Sequence, residues 1–236
     1  MRTLRIRGAF ALALLLFLLQ PAGACAKDTD CYQNDEANRV FACGSGEGKR
    51  IALTFDDGPH PEYTDAILDV LAKYNVKATF FVIGVNAGRY PLPLRRAIAE
   101  GHEIGSHTYS HPDLRRLPES ELREELQKTA EALDVFGVSP RLFRPPGGCC
   151  GEKVIACAKD ASLDVILWTV DTCDWQGVTA KAIGSAVKKE LRPGGIILMH
   201  DYISGVSHTA EALRQILPAL LDEGYTFVTV SELLEV

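Results

Sequence analysis

Five short polar segments of this 236-residue sequence combine carboxylates, imidazoles and a guanidinium, the side chains that hydrolytic chemistry uses. In chain order they are TFDDGPH (54–60), SHTYSH (106–111), FRPPGG (143–148), DTCDW (171–175) and LMHD (198–201). Taken alone, the first segment is typical of a turn, because Asp, Gly and Pro favour turns for backbone reasons. The segments that follow decide whether it is also a reactive site.

Two histidines have the spacing of a metal-binding pair. His107 and His111 lie four residues apart, so on one helical turn both imidazoles would point the same way. The pair alone is weak evidence, since Pro112 limits any helix there to a short one. With a carboxylate from Asp56 or Asp57 it becomes a His-His-Asp set. Three protein ligands leave one position open, as a catalytic zinc ion requires, and cobalt or nickel could use the same donors.

Hydrolysis also needs a base for the attacking water and an acid for the leaving group. The aspartate that does not bind metal can be the base, and His200 can be the acid. Arg144 can keep that base ionised through a charge-assisted pair, and Asp171 can orient His200 and raise its pKa. Each residue alone has an ordinary structural explanation, such as a surface ion pair, a core histidine or a helix cap. The combination favours a catalytic site.

Alternating strand and helix patterns place these segments. Nearly continuous apolar runs such as DVILWTV and GGIILM are typical of buried parallel strands. Helical patterns lie between the runs, for example YTDAILDVLAKYNV, with Ile67, Leu68, Leu71 and Tyr74 on one face. Strands are predicted at 51–55, 78–84, 103–106, 141–144, 164–170, 195–200 and 225–230. Helices are predicted at about 63–76, 91–100, 118–137, 151–161, 179–191 and 208–223.

This alternation predicts an α/β fold built from right-handed crossovers. Seven predicted strands after Arg50 are too few for a complete (β/α)₈ barrel, which takes ~250 residues. We therefore expect a single domain with a distorted or incomplete (β/α) barrel, and an open doubly wound sheet is the alternative. The five polar segments all follow predicted strands, and the carboxyl ends of barrel strands form the face where active sites are assembled.

In their order, the segments TFDDGP, SHTYSH, RPPGG, DTCDW and LMH resemble the five motifs of the polysaccharide deacetylase family, the domain named for a nodulation-factor deacetylase. The resemblance spans about 50–236 and includes the closing ILPALLDEGYTFVTVSELL. It implies a distorted (β/α) barrel. It also implies an enzyme that removes acetyl groups from N- or O-acetylated sugars with a divalent metal.

The resemblance assigns roles that the residues alone leave open. It implies that Asp56 is the general base and that Asp57, His107 and His111 bind the metal. It further implies His200 as the general acid. Arg144 would be the partner of Asp56, and Asp171 the partner of His200.

Three more positions take substrate-binding roles from the same resemblance. Trp175 and Leu198 would wall an apolar pocket for the acetyl methyl group, although plain core packing explains Leu198 equally well. The backbone N–H of Gly147 would help to stabilise the oxyanion. The family often has an aromatic residue at this position, so glycine keeps the N–H and loses a side chain that could shape the cleft.

The N-terminus and the composition indicate export. Arg2, Arg5 and Arg7 precede an apolar segment at 9–19 that is too short to span a membrane, and PAGACA follows. We interpret 1–26 as a signal peptide, 27–48 as an N-terminal extension and 49–236 as the deacetylase domain. Cys25 also suggests a lipoprotein signal. Without it six cysteines remain, an even number that suits disulfides, with Cys31–Cys43 a plausible local bridge.

The charge excludes one class of partner. The formal net charge is −6 and no basic stripe appears, so nucleic acid is not expected to bind. The sequence thus predicts a secreted or periplasmic, metal-dependent deacetylase without a transmembrane helix in its mature chain, and a lipid anchor at Cys25 is the alternative to free secretion. Its substrate would be N-acetylglucosamine units of a chitin oligomer, peptidoglycan or a related glycan. The alternatives are an O-acetyl xylan esterase of the same family and a non-catalytic carbohydrate-binding barrel.

Overall fold

A computed structural model describes residues 34–235 of the chain and contains a nine-stranded parallel sheet with eight α-helices around it. The strands are β1 (Val40–Phe41), β2 (Arg50–Asp56), β3 (Thr79–Val82), β4 (Glu103–Ser106), β5 (Leu142–Phe143), β6 (Asp164–Ile166), β7 (Val170–Asp171), β8 (Ile196–His200) and β9 (Thr226–Val228). The helices are α1 (Tyr63–Tyr74), α2 (Gly84–Arg89), α3 (Pro91–Ala99), α4 (Glu119–Asp134), α5 (Glu152–Asp160), α6 (Ala180–Glu190), α7 (Thr209–Asp222) and α8 (Val230–Leu234).

The strand order is that of a barrel with one side open. From β2 the hydrogen-bonded neighbours follow the chain through β3, β4, β5 and β6, and on the other side of β2 lie β8 and then β7. Strands β6 and β7 succeed each other in sequence but do not pair with each other. A doubly wound sheet would instead reverse its strand order at a switch point. The prediction of a single-domain, incomplete (β/α) barrel is therefore confirmed.

Strand β2 is the centre of the sheet, and its side chains alternate between two environments. Ile51, Leu53 and Phe55 pack outward against the helices in the largest apolar cluster, which also contains residues of α1 and α7. Ala52 belongs to a separate cluster inside the barrel, with Phe81 and residues of the neighbouring strands. Because side chains on one face recur every second residue, Thr54 and Asp56 share the inward face of Ala52.

Several predicted boundaries differ from the structure. The run at 164–170 is interrupted at 167–169, so it forms two strands, and the run at 225–230 ends in a helix whose first turn Thr229 caps. The predicted N-terminal extension, from residue 34 onward, is part of the sheet, since β1 pairs with β6. Helix α2 was not predicted, because Gly84 and Gly88 weaken its pattern.

The predictions for the N-terminus have mixed outcomes. The segment interpreted as a signal peptide lies outside the described residues. The Cys43 thiol is free, as is that of Cys149, so the predicted Cys31–Cys43 bridge is wrong. Within 34–235, the helices are all too short or too polar to cross a membrane.

Candidate active site

The first polar segment leaves β2 in a tight turn that directs both of its aspartates to one site. Asp56 is the last residue of the strand and is buried on the inward face. Asp57 has a φ of 78° and is followed by a cis Gly58–Pro59 peptide. This left-handed residue ends the alternation of the strand, so the Asp57 carboxylate faces the same site as Asp56 instead of pointing to the opposite face.

Asp56 is paired with a completely buried arginine. Arg144 donates from Nη1 to Asp56 Oδ1 at 2.8 Å and to the Thr54 hydroxyl at 2.7 Å. Its other nitrogens donate to the carbonyls of Ile166 and Leu167. Burial lowers the pKa of Arg144, and the neighbouring Asp56 counteracts that effect. The guanidinium is thus held in place on every side, and its charge-assisted hydrogen bond fixes the orientation of the Asp56 carboxylate.

Asp57, His107 and His111 converge on one point. Asp57 Oδ1 lies 3.4 Å from Nε2 of each histidine, which is longer than an ordinary hydrogen bond. Among residues 34–235, no hydrogen-bond donor reaches this buried oxygen. Such an orphaned oxygen is costly unless a ligand satisfies it. One ligand atom from each residue lies within 4.8 Å of the others, so the three could hold a metal ion.

The electrostatics of the cluster suit a cation: Asp56 and Asp57 raise the pKa of His107 against the effect of burial, and a bound cation would supply the positive charge that these carboxylates favour there. The Nδ1 of His107 lies 2.6 Å from the carbonyl oxygen of Arg144, so it carries the proton and Nε2 faces the cluster. Burial would raise the pKa of the Asp57 carboxyl, but the interaction with His107 outweighs burial and lowers it. Burial lowers the pKa of His111, which favours its neutral, ligating form. The donors therefore fit a divalent metal ion.

The two histidines do not converge on a helical turn. Thr108 and His111 both have positive φ, 66° and 58°, so the SHTYSH segment is a loop that turns back on itself. Glu125 of α4 fixes the loop by accepting hydrogen bonds from the backbone N–H groups of Tyr109 and Ser110 and from the Ser110 hydroxyl. The predicted pair is brought together, but a loop braced by a helix does this. Glu125 was not predicted from the sequence, because an acidic residue on an exposed helix carries no distinguishing signal.

The partner of His200 is Asp174, and the prediction of Asp171 for this role is wrong. His200 Nδ1 lies 2.7 Å from Asp174 Oδ1, and the His200 backbone N–H donates to Asp174 Oδ2. Thr209, at the start of α7, also donates to Oδ2. Asp171 instead accepts the backbone N–H of Cys173 within its own loop. Both aspartates belong to the DTCDW motif, and the left-handed Cys173, with φ 52°, turns the chain so that the second one faces His200.

His200 is set up to carry a proton. Burial would lower its pKa, but the charge and hydrogen bond of Asp174, with smaller contributions from Asp56 and Asp57, raise it to about 9. Asp56 and His200 are register partners on β2 and β8. An arginine-paired carboxylate and a protonated imidazole thus end adjacent strands of the sheet, an arrangement that a base and an acid acting in one reaction could use.

A second aspartate that the sequence analysis did not assign stabilises the turn. Asp201 is fully buried and accepts hydrogen bonds from the Gly58 backbone N–H at 2.9 Å and from the Thr64 hydroxyl at 2.6 Å. Burial raises its pKa to about 7, although these two hydrogen bonds act in the opposite direction. Asp201 therefore links the end of β8 to the turn after β2. Its position directly after His200 was the one signal for it.

The predicted substrate-binding residues lie around this site. Leu198 is buried and, two residues before His200 on β8, shares its face. Trp175 follows Asp174 and is 48% exposed. Gly147 has a φ of 62° in the short 3₁₀ turn Pro146–Gly148, which follows Arg144. The structure thus places all three in segments that carry a reactive group, and their contacts with substrate remain predictions.

Comparison with known proteins agrees with this geometry. The polysaccharide deacetylase family model matches residues 44–166. A peptidoglycan-N-acetylglucosamine deacetylase of Bacillus cereus is 42% identical over 187 residues, which are 78% of this chain and 68% of that protein. A chitooligosaccharide deacetylase of Sinorhizobium fredii is 38% identical over 82% of this chain and 95% of its own length.

A solved structure shows the same fold. The crystal structure of the Bc1960 peptidoglycan N-acetylglucosamine deacetylase, in complex with a hydroxamate-type benzamide, superposes with a TM-score of 0.82 at 40% identity. The match covers 85% of this chain and 94% of that one. The family resemblance predicted from the five motifs is confirmed by the family model, the sequence relatives and this fold. This chain belongs to the polysaccharide deacetylase family.

Proposed function

We propose that this protein is a secreted, metal-dependent deacetylase that removes acetyl groups from N-acetylglucosamine units of a polysaccharide. One observation carries the proposal. An Arg144-paired carboxylate and an Asp174-paired imidazole end neighbouring strands beside a cluster of three metal-ligand side chains. Metal-assisted hydrolysis of an amide uses these three functions together.

Asp57, His107 and His111 would hold the metal. Within the described residues, Asp57 Oδ1 has no hydrogen-bond donor, and the proton of His107 lies on Nδ1. Asp57 Oδ1 and His107 Nε2 are therefore both available as metal ligands. When bound, a divalent ion would supply Lewis-acid polarisation of the acetyl carbonyl and would make water more acidic. Two imidazoles and one carboxylate suit zinc, and cobalt or nickel can use the same donors.

The remaining residues account for the proton transfers. Asp56 takes a proton from the attacking water, and Arg144 holds the carboxylate in the orientation for that step. The water oxygen bonds to the acetyl carbon, and the N–H of Gly147 donates to the developing oxyanion. His200 then gives its proton to the amide nitrogen as the C–N bond breaks. Acetate and a free amine leave the site, and Asp174 stabilises the protonated imidazole beforehand.

The proposed substrate follows from the relatives together with the chain itself. Two named relatives act on N-acetylated glycans, one on peptidoglycan and one on chitooligosaccharides. Such polymers lie outside the cytoplasm, which agrees with the signal peptide proposed for 1–26 and with the possible lipid anchor at Cys25. Trp175 and Leu198 would enclose the acetyl methyl group beside His200.

Acetate release tests the proposal directly. The purified protein is incubated with N-acetylated chitin oligomers, with peptidoglycan and with acetylated xylan, each with zinc or with a chelator. We expect release from the N-acetylated glycans that stops with chelator and returns with metal. Release from acetylated xylan alone would establish the esterase alternative. Glycan binding without any release, with metal bound, would establish the carbohydrate-binding alternative.

A further inference from the structure

Four aromatic rings form a cluster, and two of them, His60 and Tyr202, lie on the loops after β2 and β8 that carry proposed reactive groups. The His60 ring lies between those of Tyr63 and Tyr202, with centroid distances of 4.8 and 5.1 Å and interplanar angles of 25° and 24°. Tyr90 meets the same imidazole edge-on at 5.7 Å. The three near-parallel rings make a continuous stack, which we call the His60–Tyr202 stack.

The stack adjoins the catalytic residues. His60 is three residues after Asp57, and Tyr202 is two residues after His200. Two residues of extended chain span at most about 7 Å, so Tyr202 starts close to the proposed acid. The two loops are also tied together, since Asp201 accepts the Gly58 N–H and the Tyr63 hydroxyl donates to the Gly205 carbonyl at 2.6 Å.

The outer part of the stack is open to solvent, whereas its inner part is supported. Tyr202 is 40% exposed, although it packs on an imidazole that is itself packed on Tyr63. Val206, four residues further along the same loop, is 70% exposed. Six large apolar side chains are exposed among the described residues, and two of them, Tyr202 and Val206, lie on this one loop, which concentrates apolar surface beside the proposed site. Because the stack holds Tyr202 in one orientation, little side-chain freedom is lost when a ligand packs on it.

We propose that the His60–Tyr202 stack is a glycan subsite that binds a sugar ring next to the one being deacetylated. A pyranose ring of a glucosamine-type polymer has a flat face of C–H groups and a rim of hydroxyls, which match an exposed tyrosine ring and its polar surroundings. The subsite rests on the proposed function, because it extends the same substrate chain. It makes no contact with the scissile bond, so it acts on binding and not on the chemical step.

The test compares substitutions that remove the aromatic ring of Tyr202 with one that keeps the ring and removes only its hydroxyl. We compare the unchanged protein with Tyr202→Ala, Tyr202→Leu and Tyr202→Phe in acetate release from N-acetylchitotetraose. Removal of the ring, by Ala or Leu, should raise KM about tenfold, which corresponds to about 1.4 kcal/mol, with kcat within about twofold. Tyr202→Phe keeps the ring face and should keep KM close to that of the unchanged protein. Val135→Ala truncates an exposed side chain at the end of α4 and serves as the control.

A binding measurement tests the subsite independently of the proposed catalytic activity. The affinity for N-acetylchitotetraose, measured by calorimetry in the presence of chelator, does not depend on turnover. In this measurement the Ala and Leu variants should bind the oligosaccharide about tenfold more weakly. If the unchanged protein releases no acetate from any glycan, the proposed function fails, yet this binding comparison still judges the subsite. Equal KM and equal binding in all folded variants would overturn the subsite. A loss of kcat alone, or an equal loss with Phe, would also overturn it.

Discussion

The contact between Asp174 and His200 makes the strongest quantitative prediction. Asp174→Asn keeps the size of the side chain but removes the charge that outweighs burial at the imidazole. The pKa of His200 should therefore fall from about 9 towards its ordinary value of ~6.5, or lower, because burial remains. A general acid must be protonated, so activity is lost as pH rises through this pKa.

The size of the effect follows from the two pKa values. With a pKa near 9, His200 is roughly 90% protonated at pH 8, whereas with a pKa of ~6.5 it is roughly 3% protonated. Asp174→Asn should thus reduce kcat/KM about 30-fold at pH 8 and less than about twofold at pH 6 through protonation alone. In the full pH profile, the alkaline limb should move by about two units or more towards acid pH.

The assay is acetate release from chitin oligomers at intervals of half a pH unit, with Asp171→Asn as the matched control. Asn can still accept the Cys173 N–H that Asp171 accepts, and the His200 backbone N–H and Nδ1 both pair with Asp174. The control should keep the alkaline limb of the unchanged protein. An unshifted limb in Asp174→Asn, or an equal shift in Asp171→Asn, would refute the assignment of Asp174.

Three further predictions follow from the site. Asp56→Asn should lower kcat at least about 100-fold while zinc content, measured by mass spectrometry, stays unchanged; near-normal rates would exclude Asp56 as the base. His111→Ala should lower zinc content and acetate release together, and a fully loaded variant would exclude this residue as a ligand. Gly58→Ala should destabilise the fold by about 1–3 kcal/mol in urea unfolding, because a Cβ there would lie 2.0 Å from a carboxylate oxygen of Asp201. Equal midpoints of unfolding would show that this turn relaxes freely.

Much of the fold was predictable because the buried strands β2 and β8 have nearly continuous apolar sequences. Their apolar runs and the turn residues after them locate two reactive ends, and the parallel sheet brings Asp56 and His200 together as neighbours. The split of 164–170 was not predictable, since Leu167 is as apolar as the strand residues around it and is also buried. Hydrophobicity reports burial, and buried chain need not be paired as a strand.

The partner of His200 could not be chosen from sequence for a different reason. Asp171 and Asp174 have the same charge and lie in one loop, so composition treats them alike. The choice depends on backbone angles at Cys173, a residue type that gives no warning of a left-handed conformation. The same limit applies to His111, whose positive φ replaces the helical turn that its spacing suggested.

The adjacent aspartates show how such local angles produce function. In a continuing strand, successive side chains point to opposite faces, so Asp56 and Asp57 could not both serve one site. The left-handed conformation of Asp57 removes this restriction at a cost of about 1–2 kcal/mol, which Asp tolerates better than most residues. Gly58 then leaves room for the Asp201 carboxylate that accepts its N–H and holds the turn. The turn-forming residues of TFDDGPH thus determine where its aspartates point, because the bend brings the proposed base, Asp56, and the proposed metal ligand, Asp57, to one site.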